Sequence, residues 1–167
     1  MPRHPASLPI EELLRQCTER HVRRSGPGGQ HRNKVETGVV LTHLPTGLLA
    51  EASERRSQSQ NRAVALGRMR RLLALEVRSP LDAAEPSLLW QSRLKGGRIS
   101  VSDEHVDHST LLAEALDWLA ALDWDVSVTA DRLGTTTSQL IKLLKSEPRA
   151  MKRLNDERAA RGLLPLK

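Results

Sequence analysis

The chain has 167 residues, 38% of them hydrophobic, and a formal net charge of +6. That length fits one domain, or a small domain with a helical extension, and the basic balance points to a polyanionic partner. With no Phe, no Tyr and only Trp90, Trp118 and Trp124, the core must be built from Leu, Val and Ala, which argues against an RNA reader that stacks bases on a sheet of aromatics.

The charge is unevenly placed. Residues 1–79 carry a net +7, residues 80–131 a net −7 and residues 132–167 a net +6. Cys17 is the single cysteine, so no internal disulfide can form, which fits a reducing compartment. No apolar run is long enough to span a membrane, and Met1-Pro2-Arg3-His4-Pro5 lacks the apolar core of a signal peptide. Cytoplasmic residence is the expectation.

Ile10, Leu13, Leu14 and Cys17 recur at helical spacing, which predicts a short helix over residues 9–18. A basic extended stretch with Arg20, Arg23 and Arg24 leads into Ser25-Gly26-Pro27-Gly28-Gly29-Gln30. Three glycines and a proline exclude a helix or a central strand, and glycine lets backbone approach another molecule closely. With arginines on both sides, the loop suits an anionic partner; the plain alternative is a surface turn. Val35 to Leu44 has the β-branched content of a strand, Leu44-Pro45-Thr46-Gly47 is turn chemistry, and Leu48 to Ala52 returns as a second strand. Ser57 to Glu76 reads as a long helix capped by Ser57, with Ala63, Leu66, Met69 and Leu73 inward and Arg62, Arg68, Arg70 and Arg71 mostly outward.

Residues 80–107 read as an acidic linker with some local order, and Gly96-Gly97 as a turn within it. A helical part begins near His108, with Leu111, Leu112, Ala115, Trp118, Leu119 and Leu122 on its apolar face. Helices over 126–133 and to about Lys145 follow, joined at Gly134, with Thr136 or Thr137 as cap. Ala130, Gly134, Leu140 and Leu143 match a helix-turn-helix; a plain helical bundle is the alternative. A last basic helix starts at Ser146 or Pro148 and ends at Gly162.

The segment around the glycine loop resembles the catalytic domain of class I peptide chain release factors and their short ribosome-rescue relatives. The matching residues are Arg24 to His31, Asn33-Lys34, Val39, Thr42-His43-Leu44-Pro45-Thr46-Gly47, Arg56-Ser57-Gln58 and Asn61. They keep the family's order and spacing over residues 9–76. The fold implied is α+β: a small antiparallel sheet packed on a long helix, followed by an all-α, helix-turn-helix-like segment. The organisation expected is residues 1–79 as the release factor-like domain, 80–107 as linker and 108–167 as basic helical segment.

The resemblance implies hydrolysis of the peptidyl-tRNA ester in the ribosomal peptidyl transferase centre, with Gly28, Gly29 and Gln30 as the catalytic residues. It implies no cofactor and no metal, a site completed by rRNA and tRNA, and possible N-methylation of Gln30. His31 is expected in a polar role beside the loop rather than as a general base, and His43 in a structural one. Arg32 departs from the family, where an apolar residue is usual. The candidates for contacts to the RNA backbone are Arg23, Arg24, Arg32, Lys34, Arg55, Arg56 and Arg62, with Lys142, Lys145, Arg149, Lys152 and Arg153 in the C-terminal segment. Residues 1–24 offer no place for a codon-reading domain, so the expected activity is codon-independent rescue by a monomer. The C-terminal segment would take the part of the tail that relatives place in the empty mRNA channel. The alternatives are a ribosome-binding factor without hydrolysis and, less favoured, a helix-turn-helix regulator of DNA.

Overall fold

The computed structural model describes residues 3–23, 36–81 and 85–167, and the chain divides into two compact units, Met1–Leu73 and Ala74–Lys167. The first unit opens with a 3-10 turn at Pro5–Ser7 and helix α1 at Ile10–Arg15. The helix stops short of the predicted Thr18, because Cys17–Val22 forms strand β1. Each residue of β1 faces a partner on β2 (Gly38–His43), so ladder pairing outweighs the helical spacing of Cys17. Strand β3 (Leu49–Ala52) completes an antiparallel sheet of order β1-β2-β3.

Burial follows from this order. Central β2 is covered at Val39, Val40 and Leu41, while β3 alternates, with Ala50 and Ala52 inward and Leu49 and Glu51 outward. The edge strand β1 shows Thr18, Glu19, Arg20 and His21 to solvent, a polar surface that resists further strand pairing. The β2–β3 turn forms where predicted: Gly47 N–H donates to His43 O at 2.8 Å and Gly47 takes φ 70°.

Helix α2 spans Gln58–Glu76. Its buried residues within the first unit are Asn61, Ala65, Met69, Arg70 and Leu73. Of the predicted stripe, Met69 and Leu73 are buried, Leu66 is half-buried and Ala63 is exposed. Arg70, expected outward, turns inward because it has backbone acceptors there: its guanidinium donates to Ala6 O at 3.1 Å and Leu8 O at 2.6 Å, which ties down the N-terminal arm. The predicted cap Ser57 accepts from Asn61 N–H through its carbonyl, while its hydroxyl meets Ser59 Oγ at 2.7 Å.

In the second unit, residues 88–99 carry helix α3 (Leu88–Arg93) and a short hairpin of β4 (Leu94–Lys95) and β5 (Arg98–Ile99), turning at Gly96-Gly97. Helices α4 (His108–Ala121), α5 (Val126–Arg132), α6 (Thr137–Lys145) and α7 (Pro148–Ala160) follow, near the predicted bounds. Their caps are chemically regular: Asp125 accepts from Val128 N–H, Thr136 from Gln139 N–H and Glu147 from Arg149 N–H. Leu111, Leu112, Leu116, Leu119, Leu133, Leu140, Leu144 and Leu154 are fully buried, with Trp90 and Trp124 among the aromatic filling. Trp90 lies in the stretch read as linker, yet it is 1% exposed and its indole donates to Leu133 O at 2.8 Å. Trp124 holds φ 61°, a strained conformation for a bulky residue, at the corner between α4 and α5. Among the described residues no helix is long and apolar enough to cross a membrane.

Candidate functional site

Gly28, Gly29, Gln30, His31, Arg24, Arg32 and Lys34 lie outside the described residues. What is described is the frame from which that segment leaves and to which it returns. It leaves after Val22 and Arg23 at the end of β1 and returns through Glu36 and Thr37 into β2. The last ladder pair before it is Val22 with Gly38.

Gly38 permits that closure. A Cβ there would stand 2.8 Å from Val22 Cγ2 and 2.9 Å from Val22 O, too close for any side chain. Sequence reading passed over Gly38, although an isolated glycine inside a strand pattern is a sign of close backbone approach.

The returning stem is held from α2. Asn61 is fully buried. Its amide nitrogen donates to Thr37 O at 2.7 Å and to Arg55 O at 2.9 Å, and its Oδ1 accepts from Arg55 N–H at 2.9 Å. One turn earlier, Gln58 Nε2 donates to Glu36 O at 3.2 Å. Two consecutive carbonyls of the stem are thus fixed by side chains of one helix. Buried backbone groups left without partners cost about 1–3 kcal/mol each, so Asn61 cannot be replaced by an apolar residue without loss. Both residues belong to the motif quoted above; their mechanical part becomes legible only with the stem and helix brought together.

The cations of the first unit differ in what they meet. Arg23 Nε is 3.3 Å from Glu36 Oε1, an exposed pair that joins the two stems. Arg62 Nε donates to Glu19 Oε2 at 2.7 Å, and His21 Nε2 is 3.0 Å from Glu19 Oε1. Burial raises the Glu19 carboxyl, but hydrogen bonds and charge from His21 and Arg62 outweigh it and hold it below the usual carboxylate range. Arg55 and Arg56 are exposed, and among the described residues their guanidinium groups meet no carboxylate. They sit just before α2, where Asn61 grips the Arg55 backbone on both sides.

His43 is 1% exposed. Its Nε2 is 3.0 Å from Gln16 Oε1 and its Nδ1 is 2.8 Å from Thr46 Oγ1. Nε2 donates to the Gln16 carbonyl oxygen, which can only accept, while Nδ1 and the Thr46 hydroxyl share a hydrogen bond. Burial lowers the ring's pKa and so favours its neutral form. His43 locks the end of α1 to the β2–β3 turn and is a structural residue.

In the second unit, Lys142 and Lys145 are exposed on α6 and meet no carboxylate among the described residues. Arg149 pairs with Glu76 at 2.5 Å, Arg153 donates to Leu75 O at 3.0 Å, and Lys152 pairs with Asp156 at 2.5 Å. Among the described residues no group of three His, Cys, Asp or Glu could hold a metal ion.

The model of the RF-1 domain matches residues 10–104, more than half of the chain. Peptide chain release factor 1 of Nitrosomonas europaea is 50% identical over 98 residues, which cover 58% of this chain and 24% of that protein. Peptide chain release factor 2 of Thermomicrobium roseum is 45% identical over 75 residues, 44% of this chain and 18% of the relative. An uncharacterized peptide chain release factor-like protein of Saccharomyces cerevisiae, named as mitochondrial, is 38% identical over 96 residues, 57% of this chain and 61% of the relative. The chain therefore spans less than two thirds of each of these relatives. By the extent of that match, and by the Gly-Gly-Gln sequence and stem anchors it encloses, the chain belongs to the RF-1 domain family, the GGQ domain of class I peptide chain release factors.

Proposed function

We propose that this protein is a codon-independent, ribosome-dependent hydrolase of peptidyl-tRNA that rescues stalled ribosomes. The observation that carries the reading is the intact Gly28-Gly29-Gln30 inside the matched region, with the Asn61–Thr37 and Gln58–Glu36 hydrogen bonds fixing the stem that follows it. In this reading the frame is the protein's contribution to positioning, and rRNA and peptidyl-tRNA complete the site. Water attacks the ester carbonyl, the bond to the tRNA ribose oxygen breaks, and the proton lost by water ends on that oxygen. The Gln30 backbone N–H stabilises the negative charge that develops, and small residues at 28 and 29 allow the approach. The Gln30 side chain, N-methylated or not, admits water and excludes larger nucleophiles.

Arg23, Arg24, Arg32, Lys34, Arg55, Arg56 and Arg62 would contact rRNA or tRNA phosphates, with Arg55 and Arg56 best placed because among the described residues no carboxylate meets them. The C-terminal basic residues Lys142, Lys145, Arg149, Lys152 and Arg153 would anchor the monomer on the ribosome. The compartment proposed is the cytoplasm.

The test is release of labelled peptide from ribosomes carrying peptidyl-tRNA and an mRNA with no stop codon in the A site. Wild type should release peptide with and without a stop codon, and Gly29→Ala or Gln30→Ala should lower the rate by about 100-fold or more, the loss seen when a transition-state donor is displaced. Ribosome binding without release would instead support a factor that probes the centre without hydrolysis.

A further inference from the structure

We propose that α6 and the β4–β5 hairpin together form a binding face for the sugar–phosphate backbone of duplex RNA, with Lys95, Arg98, Lys142 and Lys145 as its phosphate contacts. The hairpin is built onto the helix-turn-helix. Thr135 Oγ1, in the turn before α6, donates to Gly97 O at the hairpin tip at 2.7 Å. Trp90, just upstream, donates to Leu133 O at 2.8 Å, and a Cβ on Gly134 would stand 3.3 Å from Leu94 Cδ2. β5 then runs beside α6.

Helix α6 buries Leu140, Leu143 and Leu144, which leaves Ser138, Lys142 and Lys145 outward at i, i+4 and i+7. Its sequence, TSQLIKLLK, contains no acidic residue. Lys95 and Arg98 stand directly opposite each other in the hairpin register. Like charges placed so are destabilising, and a phosphate between or beside them would relieve the repulsion. None of the four cations meets a carboxylate among the described residues, whereas Arg93, Arg149, Lys152 and Arg161 each do.

The chemistry of the face favours backbone over bases. The fully exposed stripe of α6 offers lysine point charges and a serine hydroxyl, with Gln139, half-buried beside it, as the one amide fork that could read a base edge. A deep, narrow A-form major groove would exclude the helix, so contact falls on phosphates and 2′-hydroxyls. The choice of RNA over DNA rests on the ribosomal function proposed above; the face itself does not.

Fluorescence anisotropy of the full chain with a labelled RNA duplex, the matching DNA duplex and the single strand, over a series of salt concentrations, tests this. Lys142→Gln/Lys145→Gln and Lys95→Gln/Arg98→Gln should each weaken RNA-duplex binding by about tenfold and flatten the dependence of log K on log salt by about 2. Arg158→Gln/Arg161→Gln, which removes equal charge from α7 and its end, should change neither, and circular dichroism should show all variants folded. Equal losses in the control pair, tighter binding of DNA, or equal binding of the single strand would overturn the proposal. Ribosomes are absent from this experiment, so its result stands apart from that of the peptide-release test.

Discussion

The two units are held together in different ways. In the first, side chains reach to backbone far away in sequence: Asn61 to Thr37, Gln58 to Glu36, Arg70 to Ala6 and Leu8, and the His43 side chain to that of Gln16. In the second, an apolar core of leucines and all three tryptophans dominates and capping residues close the helix ends, with Trp90 and Thr135 adding long-range bonds to backbone at Leu133 O and Gly97 O. A polar frame fixes where a segment of chain must stand, to within a hydrogen bond. An apolar bundle fixes a surface, and here it leaves Lys142 and Lys145 outward. That contrast matches the division of labour proposed here, in which the first unit presents residues 24–35 and the second binds.

The largest expected effect that separates the two is on the second unit. Trp90→Ala removes a fully buried indole and should cost about 3–5 kcal/mol, read by hydrogen exchange as faster exchange over residues 108–145. Amides of residues 38–52 should keep their protection; uniform loss would mean that the units are not separately stabilised.

Asn61→Ala comes next. It leaves Thr37 O, Arg55 O and Arg55 N–H without their partner; Thr37 is half-buried and Arg55 exposed, so water replaces part of the loss and the total should be about 1–3 kcal/mol. Peptide release should fall further than stability, since a displacement of about 1 Å at a reacting group can cost 100-fold. A variant that melts early but releases peptide at the wild-type rate would remove the stem from the mechanism. Gly38→Ala acts on the same stem by crowding Val22 and should lower stability by about 1–3 kcal/mol, measured by thermal melting; an unchanged midpoint would show that the strands part easily at that pair.

The smallest effect is of opposite sign in the two units. His43 has a folded pKa lowered by burial, so its contribution is fully present above its unfolded value and is lost as pH falls. Asp117, in the second unit, is pushed up to about 6 by burial against the pull of Arg78, whose Nη1 donates to Asp117 Oδ1 at 3.0 Å. Its contribution is present below the unfolded value and is lost as pH rises through about 6. Acidification from neutrality to about pH 5 should therefore loosen residues 38–52 and tighten residues 108–121 in hydrogen exchange. His43→Gln should abolish the first change and Asp117→Asn the second.

These differences also set what the sequence disclosed. The helices over 126–145 were legible because Ala130, Leu140 and Leu143 repeat at the helical period around Gly134, and packing needs little else. The glycine loop and its anchors were legible as a family pattern. The part played by Asn61 was not, because its partner Thr37 lies 24 positions away. Arg70 looked like an outward cation because its acceptors are backbone oxygens 62 and 64 positions away. Strand β1 was read only in part, as an extended stretch from Arg20, since four consecutive exposed polar residues carry no alternation and Cys17 fitted the helical spacing before them. The hairpin was hidden by its size, two residues per strand, within an acidic stretch.

The most direct test of the central claim is single-turnover peptide release by the full chain from ribosomes stalled without a stop codon, with wild type and Gln30→Ala side by side. The account predicts release that rises with wild-type concentration and saturates, and a rate at least about 100-fold lower for the variant. Wild-type release no faster than in buffer, or equal release by the two proteins, would contradict it.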